Sequence, residues 1–330
     1  MNYPESQLIL EEIKKANAIL LNCHRSPDPD SVSSALSLYL ILKSLGKENV
    51  TIICPDEIPF NCKFLPNSDV IKKVDFSEFD FSKFDLFMIA DSGSWNQVTG
   101  EENISQSNIR KVVIDHHFTN PKFGDLNILD IEAGSCAAVI YKFAKDLEIN
   151  ISIDLAGTLL TGIIADTLSF QTEVIGNSSL MIADDLIKLG ADRNKIIFNL
   201  YKSKSLDEIH LMGEMLMNTK VDSEFCFAWI AISKEVSQKY PQSKDAKSFI
   251  SGSFIPSVDG TDFGFVLEES DDYISVSFRT RKDFDVSKIA EELGGGGHKA
   301  ASAARLLNIT FDEAVEKVLA ACRKYANKKV

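Results

Sequence analysis

Short apolar runs alternate with amphipathic stretches from residue 18 to about residue 170 of the chain. This alternation is typical of βαβ units, in which a strand of a parallel sheet is followed by a helix that packs on the sheet. Residues 31–45 show the helical pattern, because apolar side chains recur at spacings of three and four until Gly46. The sequence therefore predicts a parallel sheet with strands at residues 18–23, 50–54, 86–90, 111–114 and 127–130.

The pattern changes in the last third of the chain, where β-rich segments become frequent. These segments occupy residues 225–232, 263–267 and 273–281. Helices are predicted over residues 136–147, 155–164, 178–189, 195–219, 286–293 and 311–326. We therefore expect an α/β protein with an N-terminal parallel-sheet domain over residues 1–192, a helical connector over 193–219 and a smaller mixed α/β domain over 220–330.

Composition limits the classes of function. The chain has 330 residues, 45% of them hydrophobic, so it can bury a sizeable core. A net charge of −13 argues against a protein that coats long duplex nucleic acid, although local cations and bound metal ions could hold a short anionic substrate. No apolar run approaches the roughly 20 residues of a membrane span and no leader pattern is seen, so we expect a cytoplasmic protein. Six cysteines without CxxC spacing indicate neither disulfides nor zinc.

His24, Asp28 and Asp30 follow the first predicted strand with the spacing HxxxDxD. Imidazole and carboxylate groups bind divalent metal ions, and two aspartates that face different directions could serve two adjacent ions. The same aspartates could instead belong to the N-terminal cap of the following helix, with Ser31 as the cap residue. Both interpretations place these side chains at the carboxyl edge of the predicted sheet, where open parallel sheets bind ligands.

Asp115, His116 and His117 leave the fourth predicted strand. Two consecutive histidines after a buried strand are rarely needed for packing. Neighbouring side chains on extended backbone point to opposite sides, so the two rings should have different roles. We assign His116 to a metal ion and His117 to a substrate phosphate, with a solvated polar turn as the alternative.

Asp91 and Asp166 are two further candidate ligands. Asp91 ends the third predicted strand at the same sheet edge, although an aspartate in a turn is also common. Asp166 ends an apolar helix, where an unpaired carboxylate beside hydrophobic neighbours would be costly unless it met a cation. A helix-end aspartate exposed to water is the alternative for Asp166.

The C-terminal part contains a glycine run at residues 294–297, followed by His298 and Lys299. Bare backbone amides beside an imidazole and an amine would suit a phosphate or a nucleotide, whereas a flexible helix end would explain the run without a ligand. Arg279 and Arg281 alternate on a predicted strand and would share one face, where arginine can pair with phosphate. As plain solvated charges they would be equally ordinary.

Together, these motifs resemble those of the DHH phosphoesterase superfamily, in the branch with a C-terminal DHH-associated nucleic-acid-binding domain. The motifs occur in the order HRSPDPDS, ADSGS, IDHHFTN, GIIADT, SFRTR and GGGGH, and the resemblance covers nearly the whole chain. Within the superfamily, the chain is similar to bacterial nanoRNase/pAp phosphatases. The resemblance implies a catalytic DHH domain, a substrate-binding DHH-associated domain and an active site in the cleft between them.

The resemblance also implies a site for two divalent metal ions. One ion would be held by His24 and Asp28, the second by Asp30, His116 and Asp166, and both by a bridging Asp91. Four carboxylates balance two divalent cations, which leaves the site able to accept an anionic phosphate. The resemblance implies Mn²⁺, with Mg²⁺ or Co²⁺ as alternatives because geometry and supply select among them.

Further roles follow from the same resemblance. Asp115 and His117 are implied as catalytic residues, with His117 stabilising the charge that grows on the phosphoryl oxygens. The remainder of the substrate would be held by Arg279, Gly295, Gly296, Gly297 and His298.

The favoured activity is hydrolysis of short oligonucleotides to 5′ mononucleotides, with pAp as a second candidate substrate. A phosphodiesterase for a cyclic or linear dinucleotide such as pApA is the enzymatic alternative. A catalytically silent nucleotide-binding protein is the alternative from another class. The expected partners are short oligonucleotides or nucleotides, not long duplexes or membranes, and association into a homodimer is left open.

Overall fold

The computed structural model describes residues 2–100, 109–172, 176–243 and 245–326. Internal contacts divide the chain into two compact units, Met1–Ser203 and Lys204–Val330. The division falls within residues 193–219, which the sequence predicts to be a helical connector.

The first unit is built on a six-stranded sheet in which all strands are parallel. Its strands are β1 (Ile19–Asn22), β2 (Val50–Cys54), β3 (Ile71–Lys73), β4 (Leu86–Ala90), β5 (Arg110–Asp115) and β6 (Leu126–Leu129). They lie in the order β3-β2-β1-β4-β5-β6, so that Ile19 of β1 pairs with both Val50 and Leu86. The predicted parallel α/β fold is confirmed, and β3 is an additional edge strand.

Helices cover this sheet. They are α1 (Glu5–Lys15), α2 (Pro29–Ser44), α3 (Trp95–Thr99), α4 (Cys136–Asp146), α5 (Ile153–Asp166), α6 (Gly176–Lys188) and α7 (Arg193–Ile197). Leu36, Ile140 and Leu159 of α2, α4 and α5 share one apolar core with the sheet. An aromatic cluster that includes Phe87 and Trp95 forms a second core of buried residues. Burial of these apolar side chains is the main term that favours the folded state.

The second unit contains a mixed six-stranded sheet. Its elements are α8 (Leu206–Met217), β7 (Lys220–Asp222), β8 (Phe227–Ile232), α9 (Lys234–Ser237), α10 (Ala246–Ser253), β9 (Phe263–Glu269), β10 (Ile274–Thr280), α11 (Ser287–Glu292), β11 (Gly296–Gly297), β12 (Ala301–Leu306) and α12 (Phe311–Tyr325). The strand order is β11-β12-β10-β9-β8-β7, and β8 and β9 form a parallel pair. The other pairs are antiparallel.

Strand β10 shows how this sheet is packed. Val276 and Phe278 are buried in a core that includes residues of α11 and α12, whereas Ser275, Ser277 and Arg279 are only partly buried. Because side chains alternate along a strand, these three polar residues share the opposite face. A second core, formed by residues of α8, α10, β8 and β9, includes Ile250 and Val266.

The continuous helical stretch predicted over residues 195–219 is wrong. After α7 a π-helical segment, Phe198–Lys202, leads to a break at residues 203–205. Ser205 then starts α8, because its Oγ accepts a hydrogen bond from the N–H of Glu208 at 3.0 Å. Serine hydroxyls compete with helical backbone hydrogen bonds and favour such N-terminal positions.

Among the described residues, no helix has both the length and the apolar character that a membrane span requires.

Candidate metal centre

The strand order of the first unit creates a switch point beside β1. The chain moves outward from β1 to β2 and β3 on one side, and to β4, β5 and β6 on the other. In open α/β sheets, ligands bind at the carboxyl ends of the strands near such a point. His24 follows β1, Asp91 follows β4 and Asp115 ends β5, so the sheet brings three candidate side chains to one edge.

Asp28 combines two roles that the sequence presents as alternatives. It is the N-cap of α2, because its Oδ1 accepts a hydrogen bond from the N–H of Ser31 at 2.9 Å. Its Oδ2 lies 3.8 Å from Nε2 of His24. The cap is therefore Asp28 and not Ser31, whose hydroxyl instead accepts the N–H of His24 at 3.0 Å. Capping with one oxygen leaves the other facing the imidazole.

Asp30 is held by a helix distant in sequence. Cys136 and Ala137 are the first two residues of α4. The two carboxylate oxygens of Asp30 accept hydrogen bonds from their N–H groups, at 2.7 and 3.1 Å. Helix N-termini favour negative charge, so α4 stabilises this buried carboxylate. Gly162 of α5 allows the approach, since a Cβ there would lie 2.4 Å from Oδ1 of Asp30.

Asp91 lies at the centre of the cluster. Its Oδ2 is 3.3 Å from Nε2 of His24 and its Oδ1 is 3.5 Å from Nε2 of His116. His116 Nε2 is in turn 3.6 Å from Oδ2 of Asp166, the last residue of α5. The backbone of Asp91 is left-handed, with φ of 52°, a conformation that aspartate tolerates better than most residues. This turn directs its carboxylate toward both histidines.

The spacing of these atoms suits bound cations. The separations of 3.3 to 3.8 Å exceed the ordinary range of N–H···O hydrogen bonds. Two ligand atoms that each lie about 2.1 Å from one ion would be roughly 3 Å apart. Two of the groups whose candidate ligand atoms lie within 4.8 Å of one another are His24, Asp28 and Asp91, and Asp30, His116 and Asp166. The donor set of imidazoles and carboxylates therefore fits two adjacent divalent ions.

Electrostatics also indicate a site suited to cations. Burial and the nearby carboxylates of Asp28 and Asp91 raise the pKa of Asp166 to about 6, against the opposing effect of His116. Burial and the charges of Asp91 and Asp166 likewise raise the pKa of Asp30 well above its usual range. Burial opposes protonation of His24, but the surrounding carboxylates raise its pKa to about 10. Metal ions would supply the positive charge that this cluster otherwise obtains from protons.

Asp115 orients its neighbours through hydrogen bonds, and with Asp91 and His117 it also forms a further group of candidate ligand atoms. It is fully buried, and its Oδ1 contacts Nδ1 of His117 at 2.7 Å. Its Oδ2 accepts a hydrogen bond from Nδ2 of Asn120 at 2.7 Å, and the same amide donates to Ser92 O at 3.1 Å. A hydrogen bond at Nδ1 fixes the ring orientation and leaves Nε2 of His117 for another partner. Burial raises the pKa of Asp115, but His117 more than offsets this and lowers it.

Two residues of this centre were not predicted from the sequence. Asn120 lies in IDHHFTN, five residues after Asp115, and an amide so close to the motif was the available signal. Gly162 precedes Asp166 by four residues, one helical turn, and a glycine inside an apolar helix signals a close approach.

The glycine run of the second unit differs from the expected set of bare amides. The N–H groups of Gly294, Gly295 and His298 donate to carbonyls of Glu291, Ala290 and Ala301. Gly296 and Gly297 form β11 and pair with β12. A Cβ at Gly295 would lie 2.1 Å from Ala303 O, so close packing explains this glycine. The amides of Gly294, Gly295 and His298 are thus not bare.

Only one of the two arginines lies within the observed strand, and Arg281 is one residue beyond its end. Arg279 belongs to β10, where it pairs with Ala301 and Gly264. Strand β10 ends at Thr280, and Arg281 contacts Asp259 at 3.1 Å beyond it. The N–H of Arg281 still donates to Asp262 O at 2.8 Å, so backbone pairing with the neighbouring chain segment continues one residue past the end of β10.

Comparison with known proteins defines the class of this fold and centre. The sequence-family model for the N-terminal domain of the DHH family matches residues 18–163. The family model for the DHHA1 domain matches residues 257–328. The chain therefore belongs to the DHH phosphoesterases and carries a DHHA1 domain. It is a hydrolase of the class that acts on phosphodiester or phosphate bonds.

Individual relatives span nearly the whole chain. The bifunctional oligoribonuclease and PAP phosphatase NrnA of Thermus thermophilus is 28% identical, over 98% of this chain and 95% of that protein. The cyclic-di-AMP phosphodiesterase PdeA of Listeria monocytogenes is 27% identical over 97% of this chain, but over only 49% of its own length. The crystal structure of an exopolyphosphatase-related protein from Bacteroides fragilis superposes with a TM-score of 0.86 at 26% identity, covering 97% of this chain and 96% of that one.

Proposed function

We propose that this protein is a two-metal phosphoesterase that hydrolyses short oligonucleotides to 5′ mononucleotides, with pAp as a further candidate substrate. The observation that carries the proposal is the pair of ligand groups joined by Asp91. The similarity to NrnA of Thermus thermophilus, named as an oligoribonuclease and PAP phosphatase, supports the choice of substrate.

The ligand assignment follows the two groups. His24 and Asp28 would hold one ion, Asp30, His116 and Asp166 the other, and each oxygen of Asp91 would face one of them. Mixed imidazole and carboxylate ligands suit Mn²⁺, and also Mg²⁺ or Co²⁺. Two divalent ions would supply Lewis acidity and a nucleophile at neutral pH.

The protein's own side chains would position the phosphate. With Nδ1 committed to Asp115, His117 would direct Nε2 to a phosphoryl oxygen and stabilise its growing charge. Asn120 would keep Asp115, and through it the ring of His117, in place. Arg279, Gly296, Gly297 and the side chain of His298 would bind the rest of the nucleotide, with the guanidinium contributing most of the charge.

A substrate panel tests the proposal. Purified protein with Mn²⁺ would be given pApA, RNAs of two to five nucleotides, an RNA of 24 nucleotides, pAp, a cyclic dinucleotide and pyrophosphate. We expect fastest conversion of the shortest RNAs to 5′ mononucleotides, measured by product chromatography. Intact dinucleotides after prolonged incubation with Mn²⁺, Mg²⁺ and Co²⁺ would exclude the proposed activity.

The second candidate is a phosphodiesterase for a cyclic or linear dinucleotide. It is favoured by the similarity to PdeA of Listeria monocytogenes, of which this chain matches about half. The same panel separates the two, because this candidate requires the cyclic dinucleotide or pApA to be the best substrate. Tight nucleotide binding without turnover in any metal would favour the silent binding protein instead, and light scattering would test the homodimer.

A further inference from the structure

One face of the second sheet carries a concentration of positive charge. Arg279 lies on this face of β10, together with Ser275 and Ser277. The antiparallel register places Arg305 of β12 directly opposite Ser275. Directly opposed residues of neighbouring strands have their side chains on the same face. Both arginines therefore belong to one surface, about 13 Å apart along the strand direction at ~3.3 Å per residue.

A lysine from the adjacent helix joins them. Lys247 is in the first turn of α10, and its Nζ donates a hydrogen bond to Oγ of Ser275. Burial, together with the charges of Arg279 and Arg305, lowers the pKa of this amine to about 8 against the opposing effect of Glu268. The amine thus lies within electrostatic reach of both guanidinium groups.

The two arginines act on the amine of Lys247. Arg279 and Arg305 disfavour its charged form, whereas the carboxylate of Glu268 favours it. Burial raises the pKa of Glu268, which weakens its charged form. Gathering three cations is unfavourable by itself, and in a chain with a net charge of −13 it is not a general property of the surface. A bound anion would relieve this repulsion.

The residues between the two arginines on this face are small. Ala303 of β12 pairs with Ser277 and is exposed, and Gly296 of β11 pairs with Ala303. A Cβ built on Gly296 would meet no atom within 4 Å, so the space above this row is open. Small side chains therefore leave a path along the face from Arg279 to Arg305. An extended chain of linked phosphates has the charge and shape to follow it.

We propose that Lys247, Ser275 and Arg305 form a second phosphate subsite, which binds a phosphodiester of an oligonucleotide farther along the chain than the nucleotide held at Arg279. This inference rests on the proposed function and specifies how the DHHA1 domain would distinguish an oligonucleotide from a dinucleotide. Lys247 and Arg305 donate to phosphate oxygens, and Ser275 holds the lysine in position.

The test uses the full chain in EDTA, so that RNA is bound without being cleaved. Calorimetry would give the dissociation constants of a pentanucleotide and a dinucleotide RNA for the wild type, Lys247→Met and Arg305→Gln. Lys317→Met is the matched control, because this exposed lysine lies on α12, which packs on the opposite face. We expect each subsite variant to bind the pentanucleotide about 10-fold more weakly and the dinucleotide within about 2-fold of wild type.

Salt dependence and rescue sharpen the test. The slope of log K against log salt for the pentanucleotide should fall by about 0.7 for each phosphate that a variant no longer neutralises. Arg305→Lys, which retains the charge, should keep most of the slope. Circular dichroism and melting temperatures would show that the variants are folded. Equal losses for both RNAs, or no loss for the pentanucleotide, would overturn the subsite.

Cleavage assays on the wild type distinguish failure of the subsite from failure of the proposed function. If it cleaves the dinucleotide with Mn²⁺ while the variants bind the pentanucleotide normally, the activity stands and the subsite is wrong. If it cleaves no RNA but the variants show the length-dependent loss, the subsite stands and the proposed activity is wrong. A wild type that neither binds nor cleaves either RNA contradicts both.

Discussion

The carboxylate-rich edge of the first sheet and the cationic face of the second sheet use different ways of placing charge. At the first edge, side chains leave strand ends and helix ends, where backbone groups hold them. Asp28 caps α2, Asp30 accepts two N–H groups of α4, and Asp91 is directed by a left-handed turn. On the second face, charge follows from strand alternation, which places Ser275 and Arg279 on one side of β10.

The two regions should differ in how well they tolerate substitutions. A side chain held by backbone hydrogen bonds at a strand or helix end has few alternative positions, so a small displacement should remove its function. Arg279 and Arg305 on the second face are long and only partly buried, so they keep more rotamers, and losses there should be gradual. If this contrast holds, changes at the first edge should have larger effects than changes on the second face.

Replacing the shared carboxylate should have the largest effect. We expect Asp91→Asn to lower kcat about 10³-fold or more, because metal charge stabilisation is worth several kcal/mol and Asp91 faces both ligand groups. Steady-state hydrolysis of a dinucleotide with Mn²⁺ would measure it. Asp184→Asn, on the exposed part of α6, is the control and should change kcat less than 2-fold. An active Asp91→Asn enzyme would contradict the central role of this residue.

Two glycines on the same helix provide a matched pair for the rigidity of the first edge. A Cβ at Gly162 would meet Asp30 Oδ1 at 2.4 Å and Ala137 Cβ at 2.7 Å, whereas one at Gly157 would meet nothing within 4 Å. Gly162→Ala should therefore lower activity about 10- to 100-fold and the free energy of unfolding by about 1–3 kcal/mol. Gly157→Ala should raise the free energy of unfolding by about 0.5–1 kcal/mol at unchanged activity.

The outcome of this pair is informative in both directions. Denaturant unfolding and dinucleotide hydrolysis would be measured on both variants under the same conditions. If Gly162→Ala retained full activity, Asp30 could move without loss, and the edge would not be rigid.

Metal removal should reveal a stability that depends on pH. The pKa of Asp166 is raised to about 6, so the metal-free protein loses stability as pH rises from about 4 through 6. The pKa of His24 is raised to about 10, so its stabilising charge is present below about 6.5 and is lost as pH rises through 10. Ion binding requires charged carboxylates and neutral imidazoles, so it competes with these protons.

We therefore expect Mn²⁺ to stabilise the protein more at pH 8 than at pH 6. A fixed concentration that is 100 times the dissociation constant at pH 8 should add about 2.7 kcal/mol to the free energy of unfolding at pH 8, and less at pH 6, where binding is weaker. Melting temperatures of EDTA-treated protein, with and without Mn²⁺, would measure the gain at both pH values. Asp91→Asn should abolish most of the gain, and a gain that was larger at pH 6 would contradict the proton competition.

Removing a cation from the second face should have the smallest effect and the opposite sign. Because burial and the neighbouring arginines lower the pKa of Lys247 to about 8, its charged form is unfavourable at pH 7. Lys247→Met should raise the free energy of unfolding by about 1 kcal/mol. Thermal unfolding at pH 7 would measure it, with Lys317→Met as the neutral comparison. Marked destabilisation would show that this face is as dependent on its charges as the first edge.

Much of the fold was predictable because it depends on local patterns. Buried parallel strands appear as apolar runs, so β2 and β4 have the predicted bounds. Strand β3 was not predicted, because its three residues, Ile71–Lys73, lie at the sheet edge and include two exposed lysines. The end of the helix before α8 was also missed, since serines at 203 and 205 gave only a weak signal within a helical composition.

The sequence predicted which residues form the candidate centre, but not the contacts that hold them in place. Polar residues at the ends of predicted strands indicated which side chains meet. The sequence contained no sign that Asp30 would contact α4 more than 100 residues later, or that Gly162 would face it. Nor did it show that Gly295 serves close packing with β12. Such contacts depend on the tertiary arrangement of helices and strands, which local patterns do not encode.

The hydrogen bonds from α4 to Asp30 also provide two backbone probes of the candidate metal centre. The amides of Cys136 and Ala137 contact the carboxylate directly, so any ion or proton that binds Asp30 changes their electronic surroundings. Their ¹H and ¹⁵N resonances should shift on ion binding, and their exchange with deuterium should slow. Two backbone signals would thus follow occupancy of the centre without substrate, label or turnover.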